Sequence, residues 1–321
     1  MSEHDVHPDV AETADDIATM EIRGAATIAN AAAGALATQA RESDADSPEA
    51  LLTELREAAK VLYETRPTAV SLPNALRFVM AHIDGDTVEA VRKSAVESAA
   101  TFQRDLDHAQ DRLGEVGANR LRDGDTVMTH CHSTDALSCV KAALDQGKHI
   151  EAIVKETRPR KQGHITAEQL REWGVPVTLV VDSAARRYLN DVDHVLVGAD
   201  SIAADGSVIN KIGTSGLAVN ARDRGTPVMV AAQTIKLHPD TLTGHTVEIE
   251  MRDETEIISD EEREAIQGDP DGFTVRNPAF DVTPPRYVDA IVTERGQFPP
   301  ESVVVLMRDL FGSETDRPWE V

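Results

Sequence analysis

Between Val10 and Leu106, apolar residues recur at i, i+3 and i+4, as in the stretch from Ala50 to Pro67 and around the run Ala31-Ala32-Ala33. That spacing predicts helices that each bury one face. Pro67 ends one of them, Val88 to His108 reads as another long one, and no strand-like alternation interrupts this half. The polar residues ahead of Val10 read as a frayed end.

From about Leu121 the pattern changes. Short β-rich runs at Thr126–His130, Ile150–Val154, Val177–Val181, His194–Gly198, Pro227–Ala231 and Val288–Val292 alternate with helical stretches opening near Thr134, Thr166, Ser183 and Thr214. Several runs are almost wholly apolar, as parallel strands covered on both faces are. The alternation predicts an α/β fold with a doubly wound parallel sheet and ligands at the carboxyl ends of its strands. A helical domain over residues 1–118 would thus precede an α/β domain over 119–321. The charged stretch Ile249–Ile266, inside residues 240–284, reads as a peripheral helix or excursion.

Composition narrows the function classes. Hydrophobic residues make up 41% and charged residues 27% of the 321, a globular balance. No run approaches the roughly 20 apolar residues of a membrane helix, and the acidic start lacks a signal peptide's basic and apolar regions. Two cysteines make no disulfide framework. A soluble, cytoplasmic protein with no membrane partner is expected. The 56 Asp and Glu against 32 Lys and Arg give a formal charge of -24, which opposes nucleic-acid binding and fits a salt-rich cytoplasm. Only eight lysines remain in such a chain, which makes each of them a candidate for a specific role.

Three segments carry candidate chemistry. In the first, Cys131 falls where a strand gives way to a helix beside Ser133 and Thr134, a position that favours a thiolate and can bind phosphate. A buried structural cysteine is the alternative there, and Cys139 inside the following helix reads as core. His130, Cys131 and His132 do not read as a metal site, because adjacent strand residues face opposite ways and no second ligand pair stands at metal spacing. In the second segment, Lys155, Arg158, Arg160 and Lys161 form a basic cluster at a strand end, suited to an anion or to pairing with nearby carboxylates. In the third, an apolar strand delivers Asp200, and the stretch Asn210–Ser215 opens a helix, a second candidate phosphate site. Asp200 could be a simple helix cap, or an acid whose pKa the apolar approach raises. Neither a P-loop nor a GxGxxG stretch is present, so no nucleotide cofactor is expected. Arg23-Gly24 and Arg66 are weaker signals at helix junctions.

Arg23-Gly24-Ala25, Arg66-Pro67-Thr68, THCHS at 129–133, ETRPRKQG at 156–163, GADSI at 198–202, NKIGTS at 210–215 and NPAFDVTPP at 277–285 occur in that order. In this they resemble the family of ribose-1,5-bisphosphate isomerases, methylthioribose-1-phosphate isomerases and the regulatory subunits of the translation-initiation exchange factor 2B. The archaeal ribose-1,5-bisphosphate isomerase branch matches best, because a Cys and an Asp both stand at the catalytic strand ends. The resemblance implies a helical domain followed by a Rossmann-like domain and a homo-oligomer built from dimers, up to a hexamer. It implies Cys131 thiolate as base and Asp200 as acid in an aldose–ketose isomerisation of a sugar bisphosphate, without metal or cofactor. Arg23, Gly24, Arg66, Ser133, Arg158, Asn210, Lys211 and Lys236 would bind that substrate. Two positions depart from the family pattern: His132 stands where Asn is usual, and Gln233 where Glu is expected. Methylthioribose 1-phosphate as substrate, or a non-catalytic regulatory role, are the alternatives.

Overall fold

A computed structural model describes residues 6–22, 24–66, 69–266, 272–311 and 317–319. The chain divides into two compact units. The first comprises the described residues up to Ala109 with Ile235–Leu237 and those from Phe311 onward, and the second comprises Gln110–Thr234 and His238–Leu310.

The first unit is helical. It holds α1 (Pro8–Ala18), α2 (Ala25–Glu42), α3 (Pro48–Thr65), α4 (Ser71–Ala81) and most of α5 (Val88–Ala118). Ser47 starts α3, its hydroxyl accepting the Ala50 N–H with Pro48 in the first turn, where the missing N–H costs nothing. The alanine runs have a packing purpose. Ala29, Ala32, Ala33 and Leu36 of α2 bury against Leu72, Ala75, Leu76 and Val79 in the same core, and short side chains let helices approach closely. α5 continues ten residues beyond the expected His108, because Ala109 and Leu113 prolong its apolar stripe. Pro67 lies outside the described residues, but α3 stops at Thr65 as expected two residues before a proline.

The second unit is an α/β sheet. Its strands are β1 (Thr126–Thr129), β2 (Glu151–Lys155), β3 (Val177–Val180), β4 (His194–Gly198), β5 (Ser201–Ala203), β6 (Val208–Lys211), β7 (Val228–Ala231), the two-residue β8 (Leu237–His238), β9 (Phe280–Thr283), β10 (Ala290–Thr293) and β11 (Gly296–Phe298). Its helices are α6 (Thr134–Asp145), α7 (Gln162–Glu172), α8 (Ala185–Tyr188), α9 (Thr214–Arg224), α10 (Asp260–Ala265) and α11 (Val303–Phe311). The main sheet runs β11-β10-β7-β4-β1-β2-β3. Its strands pair in parallel except at the β10–β11 edge. The parallel strands, numbered in chain order, therefore lie 3-2-1-4-5-6, the dinucleotide-fold order. All six expected strands are present.

Three features depart from the expectation. β5, β6 and β9 pair antiparallel in a layer too short to show as alternation. Of the stretch 249–266 only α10 is α-helical, opened by a capping box between Ser259 and Glu262. β3 is an edge strand with Leu179 and Val181 exposed, so it is not covered on both faces.

Candidate active site

β1 leaves the sheet through His130 and Cys131 into α6. Cys131 has φ +70°, the left-handed region that few non-glycine residues enter. Its N–H donates to Thr157 Oγ1 at 2.9 Å, and its carbonyl accepts from Thr166 Oγ1 at 2.8 Å. Ser133 then caps α6, its Oγ accepting the Ala136 N–H at 3.2 Å. On the neighbouring β4, Gly198 admits Ser133, since a Cβ there would lie 2.1 Å from the serine Oγ. Two residues on, Asp200 is exposed, its N–H donating to the Ile209 carbonyl at 2.9 Å.

β1 and β4 pair directly. From them the sheet winds outward through β2 and β3 on one side and through β7 and β10 on the other. The carboxyl ends of β1 and β4 therefore flank the topological switch point, where open α/β sheets place ligands. Cys131 and Asp200 follow those two ends.

Burial pushes the Cys131 thiol up to about 11; the His132 N–H and the Lys211 charge pull it down, and the Asp200 charge adds to the rise. The expectation was a helix-end thiolate; in this structure loss of water outweighs the nearby cation. Nor does the apolar strand bury Asp200, which is exposed between the buried Ala199 and Ser201. Cys139 is core as expected. Burial pushes its thiol up to about 12, and a Cβ on Gly117 of α5 would stand 2.2 Å from its Sγ.

Asn210 and Lys211 enter from β6, both buried. The Asn210 amide donates to Thr214 Oγ1 at 3.0 Å, and the Lys211 ammonium lies 4.6 Å from the Phe280 ring centre. The second expected phosphate site is taken by the protein itself. The N–H groups of Gly213 and Ser215 at the start of α9 donate to the Asp281 carboxylate at 2.7 and 3.1 Å. Burial raises the Asp281 pKa against those two N–H groups.

The basic cluster divides. Lys155 is buried, its ammonium 3.3 Å from the Gly213 carbonyl and 3.9 Å from Asp182; burial lowers its pKa while Asp182 and Asp281 oppose. Arg160 pairs with Glu256, Nε to Oε1 at 3.0 Å. Lys161 opens α7 at φ +54°. The exposed Arg158 is anchored through its backbone, whose N–H donates to Asp182 Oδ2 at 2.7 Å.

Among the remaining candidates, Gly24 (φ +95°, ahead of α2), Arg66 (after α3) and Lys236 belong to the helical unit, and Arg23 lies outside the described residues. Both departures from the family pattern have local partners. His132 Nδ1 is 3.0 Å from Thr166 Oγ1, and its ring lines a cavity of about 710 Å³ with Gln110, Lys141, Gln169 and Trp173. Gln233 donates its amide to the buried Asp135 carboxylate at 2.8 Å, where a second carboxylate would repel. Thr157, Thr166, Asp182 and Asp281 were not singled out from sequence. Thr157 stands inside the motif ETRPRKQG, where a threonine among charged residues carries no sign of its own.

Among the described residues, no group of three or more His, Cys, Asp or Glu could hold a metal ion. Nor is any helix there long and apolar enough to cross a membrane.

The profile of the initiation factor 2 subunit family matches residues 21–300. The chain belongs to that family. Within it, the chain is similar to the ribose 1,5-bisphosphate isomerases of Haloterrigena turkmenica (73% identity, 99% of this chain and 98% of that one) and Haloferax volcanii (72%, 98% and 96%). The methylthioribose-1-phosphate isomerase of Acetivibrio thermocellus is 36% identical, over 89% of this chain and 86% of its own. Among solved structures of the family, the Pyrococcus horikoshii OT3 translation initiation factor eIF-2B superposes with a TM-score of 0.75 at 30% identity, covering 93% of this chain and 99% of that one.

Proposed function

We propose that this chain is an isomerase converting α-D-ribose 1,5-bisphosphate to D-ribulose 1,5-bisphosphate, with Cys131 and Asp200 as its acid–base pair. The observation that carries the reading is the placement of those two residues at the ends of the adjacent strands β1 and β4, at the switch point. Similarity at 73% identity over 321 residues to a ribose 1,5-bisphosphate isomerase supports it.

In this reading the C1 phosphate locks the sugar as a furanose, so the ring has to open during isomerisation. A base takes the C2 proton, the C1–C2 double bond forms, and the C1–O bond of the ring breaks as an acid protonates the ring oxygen. The resulting phosphoenol loses its C2 hydroxyl proton and gains a proton at C1, leaving the C2 ketone. Ser133, Arg158, Asn210 and Lys211 bind the substrate, and the family motifs add Arg23, Gly24, Arg66 and Lys236. The cations hold the phosphates and stabilise charge developing on the enol oxygen. The protein works as a homo-oligomer built from dimers, which a molar-mass measurement in molar KCl checks, a monomer there removing the claim.

The motifs assign Cys131 thiolate as base and Asp200 as acid. The burial that pushes the Cys131 thiol up to about 11 favours a second reading, in which the neutral thiol is the acid and the Asp200 carboxylate the base. Both readings place one proton on the pair, so in both kcat/KM is level from pH 7 to 10 and falls near 11. The direct test of function is incubation at high salt with ribose 1,5-bisphosphate and, separately, methylthioribose 1-phosphate. Ribulose 1,5-bisphosphate should form from the first, and equal specificity constants for both sugars would overturn the substrate assignment.

A further inference from the structure

Cys131 is held in place by two buried hydroxyls, and the sulfur chemistry does not explain why. At φ +70° its α-carbon sits in a left-handed conformation that an L-residue keeps only where the surroundings impose it. The surroundings do so from both sides. Thr157 Oγ1 accepts the Cys131 N–H at 2.9 Å, and Thr166 Oγ1 donates to the Cys131 carbonyl at 2.8 Å. The two threonines are 0% and 1% exposed, so water does not compete for either bond.

Each hydroxyl is itself oriented. His130 Nε2 is 2.8 Å from the Ile212 carbonyl, which can only accept, so the ring proton is on Nε2 and Nδ1 is bare. Thr157 Oγ1, 3.2 Å from that Nδ1, has two acceptors for its single proton, the imidazole and the Lys155 carbonyl at 3.1 Å. Either way its lone pair remains directed to the Cys131 N–H. Thr157 has φ +64° and is anchored through its own N–H to Asp182 Oδ1 at 3.0 Å. Because Thr166 spends its proton on the Cys131 carbonyl, its oxygen accepts from His132 Nδ1 at 3.0 Å, which places the His132 proton on Nδ1. Through Thr157 and His130, the loops after β1, β2 and β6 are joined at Cys131.

We propose that Thr157 and Thr166 are positioning residues, whose hydroxyls clamp the peptide units on either side of Cys131 and so aim its thiol into the switch-point site. The proposal rests on Cys131 being the catalytic thiol. Its consequence is specific. Removing a hydroxyl frees the backbone to leave the left-handed region, which displaces the sulfur without touching the groups that hold phosphate. A side chain that merely filled space would show its loss in stability and not in the behaviour of the sulfur.

The experiment uses the full chain with Thr157→Val, Thr157→Ser, Thr166→Val and Thr166→Ser. It measures kcat and KM for ribose 1,5-bisphosphate, and the rate of Cys131 alkylation by iodoacetamide, read by peptide mass spectrometry. Each Val variant should lose about 10- to 100-fold in kcat with KM changed less than about threefold, and its Cys131 alkylation rate should shift. Each Ser variant restores the hydroxyl and should recover most of the rate. Folded Val variants with wild-type kcat and an unchanged alkylation rate would overturn the proposal, as would Ser variants no better than Val. If Thr157→Val does not fold, Thr166→Val carries the same test from the other peptide unit. Cys131→Ser, assayed alongside, separates the two layers. Full activity in that variant removes the catalytic assignment, while the alkylation rates in the threonine variants still report whether the hydroxyls hold the sulfur.

Discussion

Cys131 and Cys139 lie on the same strand-to-helix segment, both are buried, and both thiols are pushed upward, to about 11 and about 12. Protonation therefore does not separate them. Their backbones and neighbours do. Cys139 sits inside α6 with its Sγ toward the Asp135 carbonyl at 3.4 Å and the backbone of Gly117 beside it. Cys131 sits off the regular ladder, in a left-handed turn, where the charges of Lys211 and Asp200 act on its sulfur. A raised thiol pKa on its own is a mark of burial. The left-handed turn and the neighbours at the strand ends are what support the proposed acid–base role of Cys131.

The largest effect that can break this comparison is on turnover. Cys131→Ser and Asp200→Asn should each cost about 10²- to 10⁴-fold in kcat, the range for loss of a positioned acid or base, while Cys139→Ser keeps its rate. A folded, inactive Cys139→Ser with an active Cys131→Ser would reverse the roles of the two cysteines.

A second effect lies in acid. Burial, with the Lys155 charge adding, pushes His130 down to about 4 from an ordinary 6.5. Between those values the unfolded chain binds the proton and the folded one does not. The stability that neutral His130 confers is thus intact above about pH 6.5 and is lost as pH falls through about 4, by up to about 3 kcal/mol. Denaturant titrations of wild type and His130→Gln from pH 7 to 4 should diverge over that window. Parallel curves would mean that His130 does not remain neutral in the folded state.

The smallest effect sharpens the structural side. Gly117→Ala forces a methyl to within 2.2 Å of the Cys139 sulfur and should destabilise by about 1–3 kcal/mol, as overpacked cores do. Adding Cys139→Ala should return only part of that loss, because the side-chain Cβ that remains at position 139 still lies 2.8 Å from the new methyl. A melting point unmoved by Gly117→Ala would show that the α5–α6 contact is looser than described.

Much of this architecture was legible. The six apolar runs became the six parallel strands, covered on both faces except at the β3 edge, and Cys131, Ser133 and Asp200 were readable as residues at or just beyond the ends of those runs. β5, β6 and β9 were not legible, since strands of three or four residues such as Ser201–Ala203 are too short to display a period. Nor were the roles of Thr157, Thr166 and Asp281. Their bonds reach across 26, 35 and 68 residues of sequence, and a buried threonine or aspartate carries no local sign of such a partner. α7 opens at Gln162 and not near Thr166, because Lys161 takes the left-handed turn before it.

The sequence by itself determined the periods of helix and strand, the order of the strands along the chain, and the side chains that stand at their ends. Those are local properties, set by spacing along one chain and by the chemistry of single residues. Tertiary structure alone decided that burial raises the Cys131 thiol, that the amides opening α9 are spent on Asp281, and that Cys131 bonds to threonines of the loop after β2 and of α7. Desolvation and hydrogen bonding depend on which distant groups displace water from a given atom, and no window of sequence contains that information.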